Sequence, residues 1–487
     1  MKRRDALLTM GAMAAGLATM PRSTAQNTSP DSSQSSLELL IQGGRVVNAD
    51  TSLLADVRIR GQVITEIGPN LTPSNDSQII NASNQLVLPG GIDPHTHLQG
   101  AFVDDLTTGT AAAVAGGITS VGTFSYAANG ESIIQAMERS LEEAEANAIS
   151  DVFFHASLWP PEPDSKYVLP ELVAMGQPSH KVFMTRSNFV SYRNVFIEVL
   201  EAAKDAGVLT LMHCEDGQIL ARELRRLQAE GRTSLSQHYA ESRPILAEVI
   251  ATQEAVALCK LTEAPMHLVH LSAERALNAA RSPEFLGLPL SIETRPLYLY
   301  FTEEWLKGPL GPLYVGQPPL RSASNVEAMW EGIADGRINM VATDHAPWMR
   351  DQKLDPELNI SNLRPGVSDL RFMLPVLYSE GVRRGRITQE RFVELTSTSA
   401  AKTFGLFPER GIIQEGSIAD VIIFDPNLER VVSADDDPSR SDYTPFEGWA
   451  VTGWPILTIR RGEIVFENWT VTGRAGSGQP ISRHPRL

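Results

Sequence analysis

From Gly91 to about Phe407 the chain alternates short apolar runs with amphipathic helical stretches such as "ESIIQAMERSLEEAEANA" and "NVFIEVLEAAKDAG". Strand–helix alternation implies a parallel sheet, because consecutive parallel strands are joined by a crossover. The span is that of a (β/α)8 barrel. The flanks have a different texture. From Leu37 to Leu88, short alternating runs such as "DVRIRGQVITEIGPN" are separated by Gly, Asn and Pro, and "GSIADVIIFDP" and "PILTIRRGEIVFENWTVTG" return to that pattern after the barrel. The expected architecture is α/β: a (β/α)8 barrel at residues 91–407, inserted into a β-sandwich made of residues 37–90 and 408–487.

The N-terminus stands apart. "MKRRDALLTMGAMAAGLATMPRSTAQ" has a basic start, a mildly apolar stretch and a small-residue end, which reads as an export signal over residues 1–25. Arg3-Arg4 followed by Leu7 and Leu8 resembles a twin-arginine signal, an ordinary secretory signal being the alternative. Residues 26–36 read as a disordered polar linker. Export places the protein in the periplasm or outside the cell. No later segment is long and apolar enough to span a membrane, so no stable insertion is expected once the signal is removed. The formal net charge of −16 argues against nucleic acid and anionic membrane surfaces as partners. Cys214 and Cys259 are expected to be packed thiols.

The stretch "LVLPGGIDPHTHLQG" raises the chemical question. Side chains alternate along a strand, so Asp93, His95 and His97 share a face. Neutral imidazole is a favoured ligand of zinc and similar divalent ions. Two imidazoles cannot complete a site, so other strands must supply ligands. In a barrel, functional groups sit at the C-terminal strand ends. There the chain places Lys181 in "SHKVFMT", His213 in "VLTLMHCED", His270 in "PMHLVHLSA" and Asp344 in "INMVATDHAPW". Singly, each reads as a hydrogen-bonded core residue. Together they recur in order at separate strand ends, which favours a metal site. Lys181 lies among Val182, Phe183 and Met184. Burial lowers an ammonium pKa, and a neutral amine can take up carbon dioxide as a carbamate, an anionic bidentate ligand able to bridge two metals.

"PGGIDPHTHL", "HKVFM", "LMHCED", "HLVHLS", "VATDHAPW" and "TSAAKTFGLFPERGIIQEGSIADVIIFDP" together resemble the cyclic amidohydrolases of the amidohydrolase superfamily, above all the dihydropyrimidinases and D-hydantoinases. The resemblance covers essentially everything after the linker. It implies that His95, His97 and Asp344 hold one divalent ion, that His213 and His270 hold a second, and that Lys181, carboxylated by carbon dioxide, bridges them. It implies zinc as the metal, attack by a metal-bridging hydroxide, and Asp344 as general base turned general acid. The implied reaction opens a small cyclic amide substrate of the hydantoin, dihydropyrimidine or ureide type. The resemblance also implies a homo-oligomer, a tetramer as in relatives.

The substrate-binding positions depart from that pattern. The Tyr that relatives place five residues after the bridging Lys is Arg186 here, and the Ser of their "SPPLR" is Gln317 in "GQPPLR". Gln99 stands where dihydroorotases place a carboxylate-binding Arg. Arg186 is expected to read an anionic substrate group, to donate to a carbonyl as the Tyr would, or to pair with an acid on the surface. Trp159 and Trp348 are expected either to wall the pocket or to pack in the core. A hydrolase of a linear amide, isopeptide, lactam or imide using the same site, and a non-catalytic dihydropyrimidinase-like scaffold, are the alternative readings.

Overall fold

In the computed structural model the described residues are 38–486 other than 159, 162, 163 and 235. The expected export signal and linker, and Trp159, lie outside them. Five strands come first: β1 (Glu38–Val47), β2 (Ser52–Arg60), β3 (Val63–Gly68), β4 (Ser77–Asn81) and β5 (Leu86–Pro89). Eight more, alternating with helices, follow: β6 (Gly91–Thr96), β7 (Ile118–Ser125), β8 (Asp151–Ser157), β9 (Ser179–Phe183), β10 (Leu209–His213), β11 (Met266–Leu268), β12 (Leu290–Thr294) and β13 (Met340–Val341). The chain ends with β14 (Val421–Val431), β15 (Ala450–Arg460), β16 (Glu463–Glu467) and β17 (Thr470–Val471).

Strands β6 to β13 form an eight-stranded sheet in sequence order, with every pair parallel. The two edges meet through a parallel bridge between Thr96 and His345. There the His97 N–H donates to the His345 carbonyl at 2.7 Å. Asp93 fastens the same seam: its carboxylate accepts from the Thr343 hydroxyl at 2.6 Å and from the Thr343 backbone N–H. This acid of the D-x-H-x-H run is therefore a clasp of the barrel, not a member of the cavity that its histidines reach.

The helices start where the sequence supplies caps. Ser132 and Gln135 form a capping box before the helix Ile133–Asn147. The helix Arg193–Ala206 ends at Gly207, whose φ of 67° is costly for a residue with a Cβ. Gly90, in the Pro-Gly-Gly motif, is needed for a different reason: a Cβ there would lie 2.1 Å from Thr119 Oγ1.

Both chain ends build one sheet, ordered β17-β16-β15-β14-β5-β1-β2-β3, with β4 beside β1. The two halves are joined where β5 runs antiparallel to β14. Period-two alternation makes this seam serve two cores. Val87, Val421 and Ile423 pack with Leu39, Val57 and Ile59 inside the sheet domain. Leu86, Leu88, Ile422 and Phe424 point the other way and join the barrel core. Cys214 and Cys259 are free and buried. No helix among the described residues is long and apolar enough to cross a membrane.

Candidate metal centre

The C-terminal ends of the barrel strands deliver the chemistry. His95 sits in β6 and His97 just beyond it, Lys181 lies in β9, and His213 closes β10. His270 follows β11 by two residues and Asp344 follows β13 by three. All six line one cavity of about 100 Å³, together with Gln317, Phe102 and Phe183. Asp344 Oδ1 lies 3.0 Å from His97 Nε2 and 3.3 Å from His95 Nε2. Lys181 Nζ is 3.3 Å from the same His95 nitrogen. Ligand atoms of His95, His270 and Asp344 lie within 4.8 Å of one another.

Buried partners set the tautomers. The Nδ1–H of His95 donates to Glu293 at 2.8 Å, which leaves Nε2 facing the cavity. The Nε2–H of His213 donates to Glu215 at 2.7 Å, which frees Nδ1. His270 Nδ1 is buried and has no hydrogen-bond partner among the described residues. Tyr126 Oη lies 3.0 Å from His97 Nδ1. Asp344 is clamped from behind: Arg295, wholly buried, donates from Nη1 to Oδ2 at 2.8 Å and from Nη2 to the Asp344 carbonyl at 3.4 Å. His270 and Asp344 also hold left-handed backbone conformations, with φ of 40° and 51°. Such strain in non-glycine residues collects at functional sites.

The electrostatics suit cation binding. Burial keeps the imidazoles neutral: His95 is pushed down to about 4, His213 is lowered, and His270 falls well below its ordinary value. Burial also pushes the Lys181 ammonium down to about 8, with Asp344 and Glu293 opposing in part. Burial would raise Asp344, but Arg295 and the two histidines outweigh it and hold the carboxyl well below the usual range. The donor set is thus imidazoles, three of them held neutral by burial, a carboxylate, and an amine that gives up its proton more readily than an exposed lysine, with one buried imidazole nitrogen unsatisfied among the described residues. These residues fit divalent metal ions.

The two substrate-binding candidates separate. Gln317 lines the inner cavity. Arg186 does not: it is exposed and lines a second, outer cavity of about 380 Å³, which shares Gln317 and Pro365 with the inner one. Gln99 donates to Glu143. Trp348 stands behind Phe102, ring centroids 5.3 Å apart, and so backs the cavity wall without lining it.

Sequence reasoning passed over Glu215, Arg243, Glu293, Arg295 and Tyr126. Two of them had a readable signal. Glu293 and Arg295 stand at the end of β12 in "SIETRPL", a strand end like the others, but one without a histidine to draw attention. Arg243 had none. It lies between helices and reaches Glu215 with Nε at 2.9 Å and Nη2 at 2.5 Å only because the chain folds back.

A model of the amidohydrolase family matches residues 86–465. The D-hydantoinase of Geobacillus stearothermophilus is 35% identical over 454 residues, covering 91% of this chain and 96% of that enzyme. The D-phenylhydantoinase of Escherichia coli strain SE11 is 33% identical over 460 residues, covering 92% and 99%. The crystal structure of dihydropyrimidinase from Brevibacillus agri NCHU1002 superimposes with a TM-score of 0.89 at 35% identity, covering 92% of this chain and 99% of that one.

Proposed function

Since this chain belongs to the amidohydrolase family, we propose that it is a metal-dependent hydrolase that opens a cyclic amide of the hydantoin, dihydropyrimidine or ureide type. The observation that carries this reading is the convergence of His95, His97, Lys181, His213, His270 and Asp344 on one buried cavity. His95, His97 and Asp344 would hold one divalent ion and His213 and His270 a second, with Lys181 between them as its carbamate. Lys181 supports that role by its setting: it is buried, flanked by Phe124 and Phe183, and has no carboxylate within ion-pair distance among the described residues. When bound, two such ions, zinc fitting the donor set, supply Lewis acidity toward the amide carbonyl and lower the pKa of water.

The chain's own residues do the rest. Asp344 takes the proton of the attacking water as the new C–O bond forms and returns it to the ring nitrogen as the C–N bond breaks. A cyclic ureide thereby yields an N-carbamoyl acid. Arg295 and His97 keep the Asp344 carboxylate aimed for both transfers. With its amide oriented so that the oxygen accepts from Arg243 Nη1 and Nη2, 2.8 and 3.0 Å away, as two facing donors require, Gln317 would keep its NH2 free to donate to a substrate carbonyl.

Ring-opening rates of the zinc- and bicarbonate-treated protein on hydantoin, dihydrouracil, dihydroorotate and allantoin test the proposal. Opening of at least one ring supports it. No turnover of any ring, with cleavage of a linear amide or lactam, defeats it. We further propose twin-arginine export to the periplasm on the strength of Arg3-Arg4. A fusion carrying Arg3→Lys and Arg4→Lys that is still exported normally would count against that route.

A further inference from the structure

Three arginines surround the reaction chamber, and they are engaged differently. Arg295 is held by Asp344. Arg243 is held by the wholly buried Glu215. Both charges are thereby balanced inside the protein. The Arg186 guanidinium has no ion pair or hydrogen bond among the described residues, and Arg186 stands on the wall of the outer cavity. Among the described residues no aspartate or glutamate lines that cavity, whose other polar groups include Ser187, Ser242 and Ser361. The surface-pairing role considered for Arg186 finds no acid to pair with among the described residues. In the proposed function the carbonyl-donor role falls to Gln317, which with Pro365 lines both cavities.

The sizes divide the labour. The inner cavity, about 100 Å³, is scaled to a small ring. The outer one, about 380 Å³, opens beyond Gln317 and Pro365 and is scaled to a substituent on that ring. Its one unbalanced charge among the described residues is the Arg186 guanidinium, whose planar fork matches a carboxylate.

We propose that the outer cavity is a subsite for an acidic substituent, so that the substrate class is a cyclic ureide carrying a carboxylate on a short side chain of its ring, read by Arg186. This assignment rests on the ring-opening function above. Arg186 binds and does not react, and the ring chemistry is that already described.

The test uses the zinc-loaded full chain and a matched pair of substrates: hydantoin bearing an acetate side chain on its ring carbon, and the same ring bearing the neutral acetamide. The expected kcat/KM ratio favours the carboxylate by about tenfold or more, equivalent to about 1.4 kcal/mol. That ratio should collapse in Arg186→Gln, mainly through KM, and be partly kept in Arg186→Lys. It should also shrink as salt is raised, because the pair forms at a solvent-accessible wall. A ratio near one in the wild type, or one that Arg186→Gln leaves intact, overturns the subsite while leaving the ring-opening function standing. If no ring is opened, calorimetry still separates the two ideas. Binding of the carboxylate ring that Arg186→Gln abolishes supports the subsite although the function has failed. Binding that is absent, or indifferent to Arg186, overturns the subsite as well.

Discussion

Replacing Arg295 by Met should disable the proposed proton carrier without emptying the cavity of ligands. The guanidinium donates to Asp344 Oδ2 at 2.8 Å, and neither partner is open to solvent: Arg295 is wholly buried and Asp344 is 8% exposed. Removing one member of a buried pair costs about 3–5 kcal/mol, because the surviving charge is left uncompensated. His97 and His95 remain beside Oδ1 at 3.0 and 3.3 Å and absorb part of that loss, so the lower end applies. About 3 kcal/mol expressed in the transition state is roughly a hundredfold in kcat. The second contact, from Nη2 to the Asp344 carbonyl, supports a backbone with φ of 51°. Its loss also frees the residue to relax away from the cavity. The assay is steady-state ring opening, with zinc content and thermal midpoint measured on the same preparations. The expected result is a large fall in kcat with a small change in KM, and partial recovery in Arg295→Lys or on adding guanidinium. A kcat within about threefold of wild type would refute the reasoning, since the pair would then be worth under 1 kcal/mol to the reaction. So would a loss of midpoint with no loss of kcat per folded molecule.

Further outcomes are expected. Even outer partners of metal ligands are worth about 10–100-fold in affinity or activity, so Lys181→Ala should lose more than that along with bound zinc, and a short carboxylic acid should restore part of both. An unchanged zinc content would exclude Lys181 as a ligand. Chelation should abolish ring opening and lower the thermal midpoint, with zinc restoring both, because ions that bind only the folded chain stabilise it. Full activity after chelation would remove the metal from the chemistry. In β1, Glu38 is hydrogen-bonded by Ser77, Arg60 and Arg58, and its carboxyl is lowered from 4.5 to about 2. A depressed carboxyl contributes stability above its unfolded value and loses it as pH falls through the folded one. Glu38→Gln should therefore lower the midpoint at neutral pH, and the gap should close as pH falls from about 4.5 toward 2. A gap constant across that range would refute the linkage. Light scattering should find a homo-tetramer in solution, as proposed from the family resemblance, and a monomer would overturn that expectation.

Much of the site was legible because a parallel barrel converts sequence order into spatial order. Each β-strand ends on the same rim, so His95, His97, Lys181, His213, His270 and Asp344, scattered along the chain, reach one cavity. Periodicity also exposed the two-domain plan, since strands in the flanks alternate with period two and the middle carries helices. What the sequence left open had a different cause in each case. Alternation placed Asp93 on the face of His95 and His97, and only closure of the barrel brought Thr343 to its carboxylate. Arg243 carries no local pattern, and the strand-end position of Arg295 does not name its partner. Their roles depend on meeting Glu215 and Asp344 across the fold, 28 and 49 residues away along the chain. The direction of Arg186 is a property of a loop, and a loop is aimed by what packs around it. The sequence by itself determined which donor types stand at which strand ends, because strand period and barrel handedness leave little freedom there. Only the tertiary structure decided which charges neutralise one another and which stands unpaired among the described residues, because charge pairing depends on distance through space.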